Sequence, residues 1–472
     1  MRTRPRGMAV AGLVTLGLLA TSVPAHTAPS PADDPTLNLA NFELRPNNMG
    51  DELSNRVAKL DEQLPNAGVG RILADANRTG QVGNAYDPCN DEAVGTRLDR
   101  VSDNVCFNDG DNDTRLWYPQ GVTTVADAQD DKYWGDPAKN NQPVLVSWYD
   151  HTRKRGPGDA DDIACEDKDE DQDPEKGVRV SFMDPHTGEY RHVLLVYPTI
   201  NSYDNPSYMS VRSTQVGGDS RDDNCSLHAG GMVWYGNFLY VADTGRGFRV
   251  FDMRHIYDLG AASNGTTQDP QEIGRRSGTY YGHGYRYVMP QVASWTLTTS
   301  NAEDRCTPNA AGLKFSYAGL DRSGLDHMLA GEYCNKANDQ VTRWGRVAAW
   351  PMAGAVDADG EQITDTGYRW QADVAHKLPV SNVQGAARFN DRWYLSQSHG
   401  QNNNGTLYQT AKASSSTEML RSATSQNAAI GPEDLSHWEN GRGGTNLGTM
   451  WTVAEHPTKR MVYATIPEEV AD

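Results

Sequence analysis

Residues 226–253, "SLHAGGMVWYGNFLYVADTGRGFRVFDM", carry the pattern from which the fold can be predicted. Apolar and polar residues alternate in "GGMVWYGN" and in "FLYVADTG", and a Gly-Arg-Gly turn at residues 245–247 leads into "FRVFDM". Alternation with a period of two is typical of half-buried strands. Short Gly-rich turns between such runs indicate hairpins. The stretch therefore predicts several antiparallel strands in succession, with His228 at their start.

Similar openings recur along the chain. "WYPQGVTTVADA" is followed by "QPVLVSWYD" and by "GVRVSFMDPHTGEYRHVLLVYP", which has a hairpin turn at residues 184–188. "PQVASWTL", "VQGAARFNDRWYLSQSHG" and "PEDLSHWE" open further units of the same kind. The five units begin near Gln120, His228, Gln291, Gln384 and Glu433. Degenerate repeats of antiparallel strands are typical of a β-propeller, in which each unit is a blade.

Residues 117–472 resemble β-propeller proteins of the loosely repeating secreted kind, through pieces such as "GNFLYVADTGRGFRVFDM" and "NDRWYLSQSHG". The resemblance implies an all-β fold with five blades, and the uneven spacing leaves five to seven open. The alternative is a β-sandwich with long insertions. The propeller is favoured because each unit starts with a polar residue and then small residues, which suit the crowded axis.

The first residues predict export. Arg2, Arg4 and Arg6 precede an apolar run at residues 8–23, and Val23-Pro24-Ala25 offers a small-residue cleavage site. These are the parts of a secretory signal peptide, assigned here to residues 1–25. The apolar run is short for a membrane span, so we expect a secreted protein without membrane insertion. An uncleaved anchor is the alternative.

Residues 26–115 are expected to form an N-terminal extension before a propeller at residues 116–472. Four apolar residues recur there at helical spacing: Leu53, Val57, Leu60 and Leu64. Pro65 then ends the pattern, because proline is poorly tolerated inside a helix. We predict a helix, a turn and a second short helix within residues 49–76.

The composition excludes one class of partner. The formal net charge is −19, and no basic stripe with interleaved aromatic residues is found. Such a chain repels nucleic-acid phosphates, so a nucleic-acid partner is not expected. The acidic balance suits solubility and the attraction of divalent cations.

The six cysteines form three pairs that are close in sequence. An even number in an exported chain without a C-x-x-C motif favours disulfides over metal thiolates. Short loop closure favours neighbouring partners among the fifteen possible connectivities. The expected bridges are Cys89 with Cys106, Cys165 with Cys225, and Cys306 with Cys334.

The polar residues at the unit starts are expected to converge on one mouth of the central channel. Gln120, Gln291 and Gln384 would bind a ligand there, and Glu433 and Asp434 would offer oxygen ligands to Ca²⁺ or another divalent metal. Adjacent strand residues point to opposite faces, so only one of these two carboxylates should face the channel. Without a metal, the ring suits a polyhydroxylated ligand. A water-filled framework ring is the third possibility.

Residues 158–177 form an acidic run in which Asp167, Asp169 and Asp171 alternate as calcium ligands would. Gln172 and Val178 depart from the EF-hand pattern, so only a looser Ca²⁺ loop fits. A solvated insertion between strands is the alternative.

Residues 278–287, "GTYYGHGYRY", hold the most suggestive catalytic set. Tyr281, His283, Tyr285 and Arg286 could supply an acid/base pair and an anion-binding cation, as a polysaccharide lyase needs. The alternative is an exposed aromatic loop. No G-x-S-x-G, H-E-x-x-H, phosphate-binding or dinucleotide-binding motif accompanies it.

Three functions are compatible with these features. The favoured one is an extracellular propeller that binds a carbohydrate or cell-envelope ligand at its channel mouth. The second is a secreted metal-assisted hydrolase or a lyase, with His228 or His283 in the catalytic set. The third is a scaffold for protein partners. The sequence does not indicate an oligomeric state.

Overall fold

The computed structural model of the protein describes residues 37–47, 50–85, 87–96, 98, 100–151, 175–212, 215, 227–299, 306–307, 310–335, 345–440 and 447–470. Within these residues the chain is almost entirely β-structure with a few short helices, as the sequence predicts. No helix in the described part is long and apolar enough to cross a membrane. Several predicted features lie outside the described residues: the signal peptide, the Cys165 and Cys225 pair, and Asp167, Asp169 and Asp171.

The N-terminal segment combines short strands and helices. Its elements are β1 (Leu44–Pro46), α1 (Gly50–Asp61), β2 (Asn66–Ala67), α2 (Val69–Ala74), β3 (Arg78–Thr79), β4 (Gln81–Val82), β5 (Val101–Cys106) and α3 (Asp109–Asp113). The predicted helix, turn and second helix are confirmed by α1 and α2. Leu53, Val57, Leu60 and Leu64 are all buried, because the periodic apolar face of α1 packs on the sheets. The strands β1 and β3 pair with sheet strands far along the chain.

The first antiparallel run of four strands follows. It consists of β6 (Trp117–Thr124), β7 (Val144–Asp150), β8 (Val178–Met183) and β9 (Glu189–Ile200), with α4 (Val125–Ala128) after β6 and β10 (Pro206–Ser210) beyond β9. The predicted hairpin lies between β8 and β9, and Gly188 adopts a positive φ of 73° there. Each strand of this run therefore pairs with the next one in the chain, although long loops separate some of them.

The second run is closed by a strand from later in the chain. Its strands are β11 (Met232–Tyr235), β12 (Phe238–Asp243) and β13 (Gly247–Asp252), followed by β14 (Ile256–Asp258), the hairpin of β15 (Ile273–Arg276) with β16 (Thr279–Gly282), and β17 (Tyr287–Leu297). One part of β17 pairs with β13, and residues 287–290 run parallel to β9. The first two runs therefore share one sheet.

The position of β17 corrects one prediction. Gln291 was expected to open a unit at the channel, but it lies on β17, the outermost strand of the second run. Nearly every residue of β17 is buried, because the strand lies between β13 and β9. An outer strand that is covered on both edges has the same apolar sequence as an inner strand. This similarity explains why Gln291 was expected to open a unit.

Two further runs form separate four-stranded sheets. The third consists of β18 (Tyr317–Asp321), β19 (His327–Gly331), β20 (Arg346–Pro351) and β21 (Val374–Lys377). The fourth consists of β22 (Val383–Phe389), β23 (Arg392–Gln397), β24 (Asn404–Thr410) and β25 (Ser422–Ile430). Both are antiparallel meanders of sequential strands.

The last run joins the two ends of the chain. The strands β26 (Ser436–Trp438), β27 (Thr449–Val453) and β28 (Met461–Thr465) pair in order, and β28 then pairs with β5 and β5 with β4. Residues 26–115 were expected to lie outside the propeller, yet this segment supplies the outer strands of the last sheet. The pairing ties the N-terminal segment to the C-terminal strands.

The innermost strands of the runs face one another around a common axis. Contacts connect β6 to β11, β11 to β18, β18 to β22, β22 to β26 and β26 back to β6. Crowding at the axis excludes side chains. A Cβ atom on Gly231 would lie 2.0 Å from the backbone nitrogen of Ala318, and one on Gly385 would lie 2.7 Å from Cα of Asp434. The fold is the predicted β-propeller. The number of blades stays a prediction, since β17 merges two runs into one sheet.

The hydrophobic core is divided among the interfaces between neighbouring runs. Trp148 of the first run, Trp234 of the second and Trp451 of the last share one cluster. A second cluster joins the second and third runs and includes Phe248 and Trp350. Packing of sheet faces against each other is what holds the inner strands, and the polar groups on them, in place.

Candidate functional site

A buried carboxylate lies on the propeller axis. Asp434, which precedes β26, is fully buried. Its Oδ2 accepts hydrogen bonds from the backbone N–H groups of Val122 (3.2 Å) and Met232 (3.0 Å), and its Oδ1 accepts one from Ala318 (3.2 Å). Burial raises the pKa of this carboxyl group, and the N–H donors act in the opposite direction. One side chain therefore joins the inner strands of three other runs.

These contacts show which residues occupy equivalent positions in the runs. In the first run the expected ring residue, Gln120, lies two residues before the N–H donor Val122. The residues at the same distance before the other two donors are Gly230 and Ser316. His228 therefore lies two residues before the position that is equivalent to Gln120. Gln291 lies on another strand, where its side chain accepts a hydrogen bond from Arg249 (3.2 Å). The predicted ring is only partly polar.

Three of the predicted ring residues belong to one group of contacts, which we assign to a mouth of the channel. Gln120 donates through Nε2 to Oε2 of Glu455 (3.0 Å), and Gln384 donates through Nε2 to Oε1 of Glu433 (2.9 Å). The carboxyl group of Glu433 also lies next to that of Glu455. We call Gln120, Gln384, Glu433 and Glu455 the mouth cluster.

Burial favours the protonated form of Glu433 in the mouth cluster. A carboxylate can only accept a hydrogen bond, so Glu433 and Glu455 can hydrogen-bond to each other only when one of them is protonated. Complete burial, and then the negative charge of Glu455, raise the pKa of Glu433 well above its ordinary value. Glu433 is fully buried, whereas the side chain of Glu455 is partly exposed.

Aromatic side chains lie beside this mouth. The exposed ring of His228 stacks on Tyr149 with 4.6 Å between ring centroids, and the rings of Tyr118 and His151 are 4.8 Å apart. Tyr118 and Tyr149 face each other across the β6–β7 pair at 6.0 Å. We call Tyr118, Tyr149, His151 and His228 the aromatic shelf.

The aromatic shelf and the mouth cluster are in contact. Arg460 lies over the Tyr118 ring (5.0 Å to its centroid), and its Nε donates to the backbone oxygen of Glu455 (2.8 Å). On the other side, Ser147 donates to the carbonyl of Ala229 (2.9 Å), which fixes the chain next to His228. The two groups therefore form one surface with an aromatic half and a carboxyl half.

Glu433 and Asp434 were expected as metal ligands. Asp434 accepts hydrogen bonds from axial N–H groups, and Glu433 accepts one from Gln384 in the mouth cluster. Metal binding by these two carboxyl groups stays a prediction. Among the described residues, the one group of three metal-ligand side chains within 4.8 Å is Cys306, Glu332 and Cys334. Its two sulfurs are bonded to each other, so the group is a disulfide beside a carboxylate.

Two of the expected disulfides are present among the described residues. Cys89 and Cys106 are bonded with 2.00 Å between the sulfurs, and Cys306 and Cys334 with 1.99 Å. The first joins the N-terminal segment to β5, and the second closes a loop in the third run.

The loop that carries His283 packs against the first run, where the ring of Tyr285 lies 6.3 Å from that of Trp117. His283 has a positive φ of 49°, its Nδ1 lies 3.1 Å from the carbonyl of Pro270, and its Nε2 lies 3.2 Å from Oγ of Ser210. A carbonyl accepts only, so Nδ1 carries the hydrogen. Burial lowers the pKa of His283 to about 4. The imidazole is neutral at pH 7, and both of its nitrogens hold the loop.

The other members of the predicted catalytic set are also engaged. Arg179 donates to the hydroxyl of Tyr285 (3.3 Å), and burial raises the pKa of Tyr285. Arg286 forms ion pairs with Asp258 (2.7 Å) and Asp75 (2.8 Å). Tyr281 lies on β16. Tyr285 and His283 line one cavity with Arg286.

Sequence reasoning missed Glu455 and most of the aromatic shelf. Glu455 follows β27 in the unremarkable stretch "TVAEHP", and its partners come from other runs of the chain. Tyr149 lies on a second strand, where alternation indicated only a half-buried position. The one available signal was the clustering of Tyr118, Tyr149 and His151 at the facing ends of a predicted strand pair.

The fold and the channel define this chain as a β-propeller protein. It matches no protein-family model. No curated protein sequence matches it either.

Solved structures with weak similarity have been found. A GH43_1 enzyme from Xanthomonas citri is 9% identical at a TM-score of 0.31, covering 75% of this chain and 88% of the other. RS223-Beta-xylosidase is 9% identical at a TM-score of 0.32, covering 74% and 91%. The Cps50 (Swd1) beta-propeller domain of Myceliophteria thermophila is 8% identical at a TM-score of 0.29, covering 75% and 99%. Similarity at this level does not extend to a ligand or an activity.

Proposed function

We propose that this chain is an exported propeller that binds a carbohydrate at its channel mouth. The observation that carries the proposal is the exposed stack of His228 on Tyr149 beside the mouth cluster. Sugar rings present apolar C–H faces that pack on aromatic rings, and hydroxyl groups that hydrogen-bond to carboxylates. The aromatic shelf offers the first kind of contact, and the partly exposed Glu455 offers the second.

The same geometry favours binding over turnover. In most glycoside hydrolases, two carboxyl groups flank the sugar bond and lie at least ~5 Å apart. Glu433 and Glu455 instead lie next to each other, and Glu433 is fully buried, so the pair does not flank an open space for a sugar. The lyase alternative needs an available base, whereas both nitrogens of His283 contact protein groups and burial raises the pKa of Tyr285.

The test is retention on polysaccharides. Wild-type protein is run by affinity electrophoresis through gels that contain xylan, soluble cellulose, chitosan or a bacterial capsular polysaccharide. We expect at least one to retard it, and Tyr149→Ala to weaken that binding about tenfold through loss of ~1.4 kcal/mol of ring contact. Tyr203→Ala is the matched control, since Tyr203 is 84% exposed and is not part of the aromatic shelf.

Three results would contradict the proposal. One is the absence of retardation by every polysaccharide, and another is equal retardation of the wild type and Tyr149→Ala. The third is release of reducing ends or unsaturated products from a retained polysaccharide, which would favour the hydrolase or lyase alternative.

A further inference from the structure

A cationic cavity lies outside the proposed carbohydrate site. It has a volume of about 330 Å³ and lies between β3, β9 and the loop that carries His283. Four of its lining residues are cations, namely Arg78, Lys176, Arg191 and Arg286. None of the described residues that line it is Asp or Glu. In a chain with a net charge of −19, this concentration of positive charge is exceptional.

The carboxylates behind the cavity balance only part of this charge. Arg286 is paired with Asp258 and Asp75, and Arg78 is paired with Asp111 (3.0 Å). These carboxylates thereby account for two of the four cations, and Arg191 and Lys176 remain.

Arg191 carries the first charge that is balanced only in part. Its Nη1 donates to the backbone carbonyl of Asp75, and its guanidinium lies 5.1 Å from the ring centroid of Tyr287. Burial, and then repulsion by Arg286 and Arg78, lower the pKa of Arg191, while the Asp75 carboxylate, which Arg286 also uses, acts in the opposite direction. An anion in the cavity would remove this repulsion.

Lys176 is the second cation of the cavity that the carboxylates behind it do not balance. Its backbone N–H donates to Asp150 (2.7 Å), while its ammonium group contacts no carboxylate among the described residues. A flexible lysine at the rim of a cavity can turn towards a bound anion at little cost.

The cavity floor is rigid. Arg179 donates to Asp111 (2.7 Å) and lies between the rings of Trp117 (4.5 Å) and Trp148 (4.8 Å). His192 contacts Asp111 through Nε2 (3.1 Å), and burial and then Arg179 lower the pKa of His192 to about 3. The floor therefore keeps a neutral imidazole and fixed ion pairs, which is the preorganisation that a binding site needs.

We propose that this cavity binds an oxyanion group, a carboxylate, sulfate or phosphate, carried by a small molecule. The donors for the oxyanion come from Arg191 and Lys176, and arginine forks suit planar or tetrahedral oxyanions. An adjoining cavity of about 430 Å³ shares Arg191, Gly284 and Arg286 with the first. The space exceeds that of one oxyanion, so the rest of the ligand occupies the second cavity.

The experiment is calorimetric titration of the full chain at pH 7 and low salt with inorganic phosphate, sulfate and citrate as separate probes. We expect saturable binding of at least one probe, with the three arms distinguishing the oxyanion classes. Lys176→Glu should weaken this binding at least about tenfold, since it replaces a charge-assisted contact by repulsion. Among the described residues the ammonium of Lys176 contacts no carboxylate, so we expect the melting temperature to stay unchanged.

Lys139→Glu is the matched control. Lys139 is an exposed lysine at the end of a short 3-10 helix, and it does not line the cavity. It undergoes the same change of charge and should bind the probe as the wild type does. The proposal would be overturned if the wild type bound none of the three probes. Equal weakening in both variants would also overturn it, because the effect would then reflect net charge alone.

Discussion

Replacing Glu433 by Gln should change how the stability of the propeller depends on pH. Glu433 is fully buried and its pKa is raised well above the value in an unfolded chain, by burial and by Glu455. Between those two pKa values the folded chain holds a proton that the unfolded chain has lost. Unfolding then releases that proton, so this group's contribution to stability falls as pH rises. Glutamine has nearly the same shape and does not titrate.

The magnitude follows from the linkage relation. One proton released on unfolding changes the free energy of unfolding by about 1.4 kcal/mol per pH unit. If unfolding releases one proton over the whole range, wild type should lose about 2.7 kcal/mol relative to Glu433→Gln from pH 5 to pH 7. The variant retains a carbonyl oxygen for Gln384 and gains an amide donor for Glu455, so it should fold.

Urea unfolding followed by tryptophan fluorescence at pH 5, 6 and 7 measures the difference. The informative quantity is the slope of the free energy of unfolding against pH, because any constant cost of the substitution cancels. Glu469→Gln, at an exposed glutamate near the C-terminal end, is the control and should keep the wild-type slope. Parallel curves for the wild type and Glu433→Gln would refute the assignment of a bound proton to Glu433.

Two other substitutions test the buried polar groups. Asp434→Ala leaves three axial N–H groups without their acceptor. At ~1–3 kcal/mol for each group, we expect the free energy of unfolding to fall by about 3–9 kcal/mol. A loss below about 1 kcal/mol in urea unfolding would show that the axis does not depend on Asp434. Glu332→Gln leaves the fully buried Arg346 without its counter-charge and should cost about 3–5 kcal/mol. Its control is Glu361→Gln, whose pair with Arg254 is about half exposed and should cost less than about 1 kcal/mol. Similar losses at Glu332 and Glu361 would contradict the role of burial.

Local features of the fold could be predicted from sequence because they depend on neighbouring residues. The period-two runs predicted the strands β11, β12 and β13, and the helical spacing of Leu53 to Leu64 predicted α1. The small residues near Gly231 and Gly385 indicated a crowded axis, and the structure places both there.

The candidate site was predicted only in part. Gln120, Gln384 and Glu433 were expected to share one mouth of the channel, and the structure connects Gln384 to Glu433 and Gln120 to Glu455. Gln291 was misplaced, because a strand covered on both edges has the same apolar pattern wherever it lies in a sheet. His228 was assigned two residues out of register, because alternation does not fix where one run aligns with the next.

The sequence by itself determined that this chain forms short antiparallel strands with a helical N-terminal segment, since both signals lie within a few residues of each other. Tertiary structure alone decided that β5 completes the sheet of β28, that Asp434 joins the inner strands of three other runs, and that Glu455 meets Glu433. Each of these contacts depends on the register and burial of strands that meet only after folding. Burial then sets the charge of Glu433, and no local pattern of residues records it.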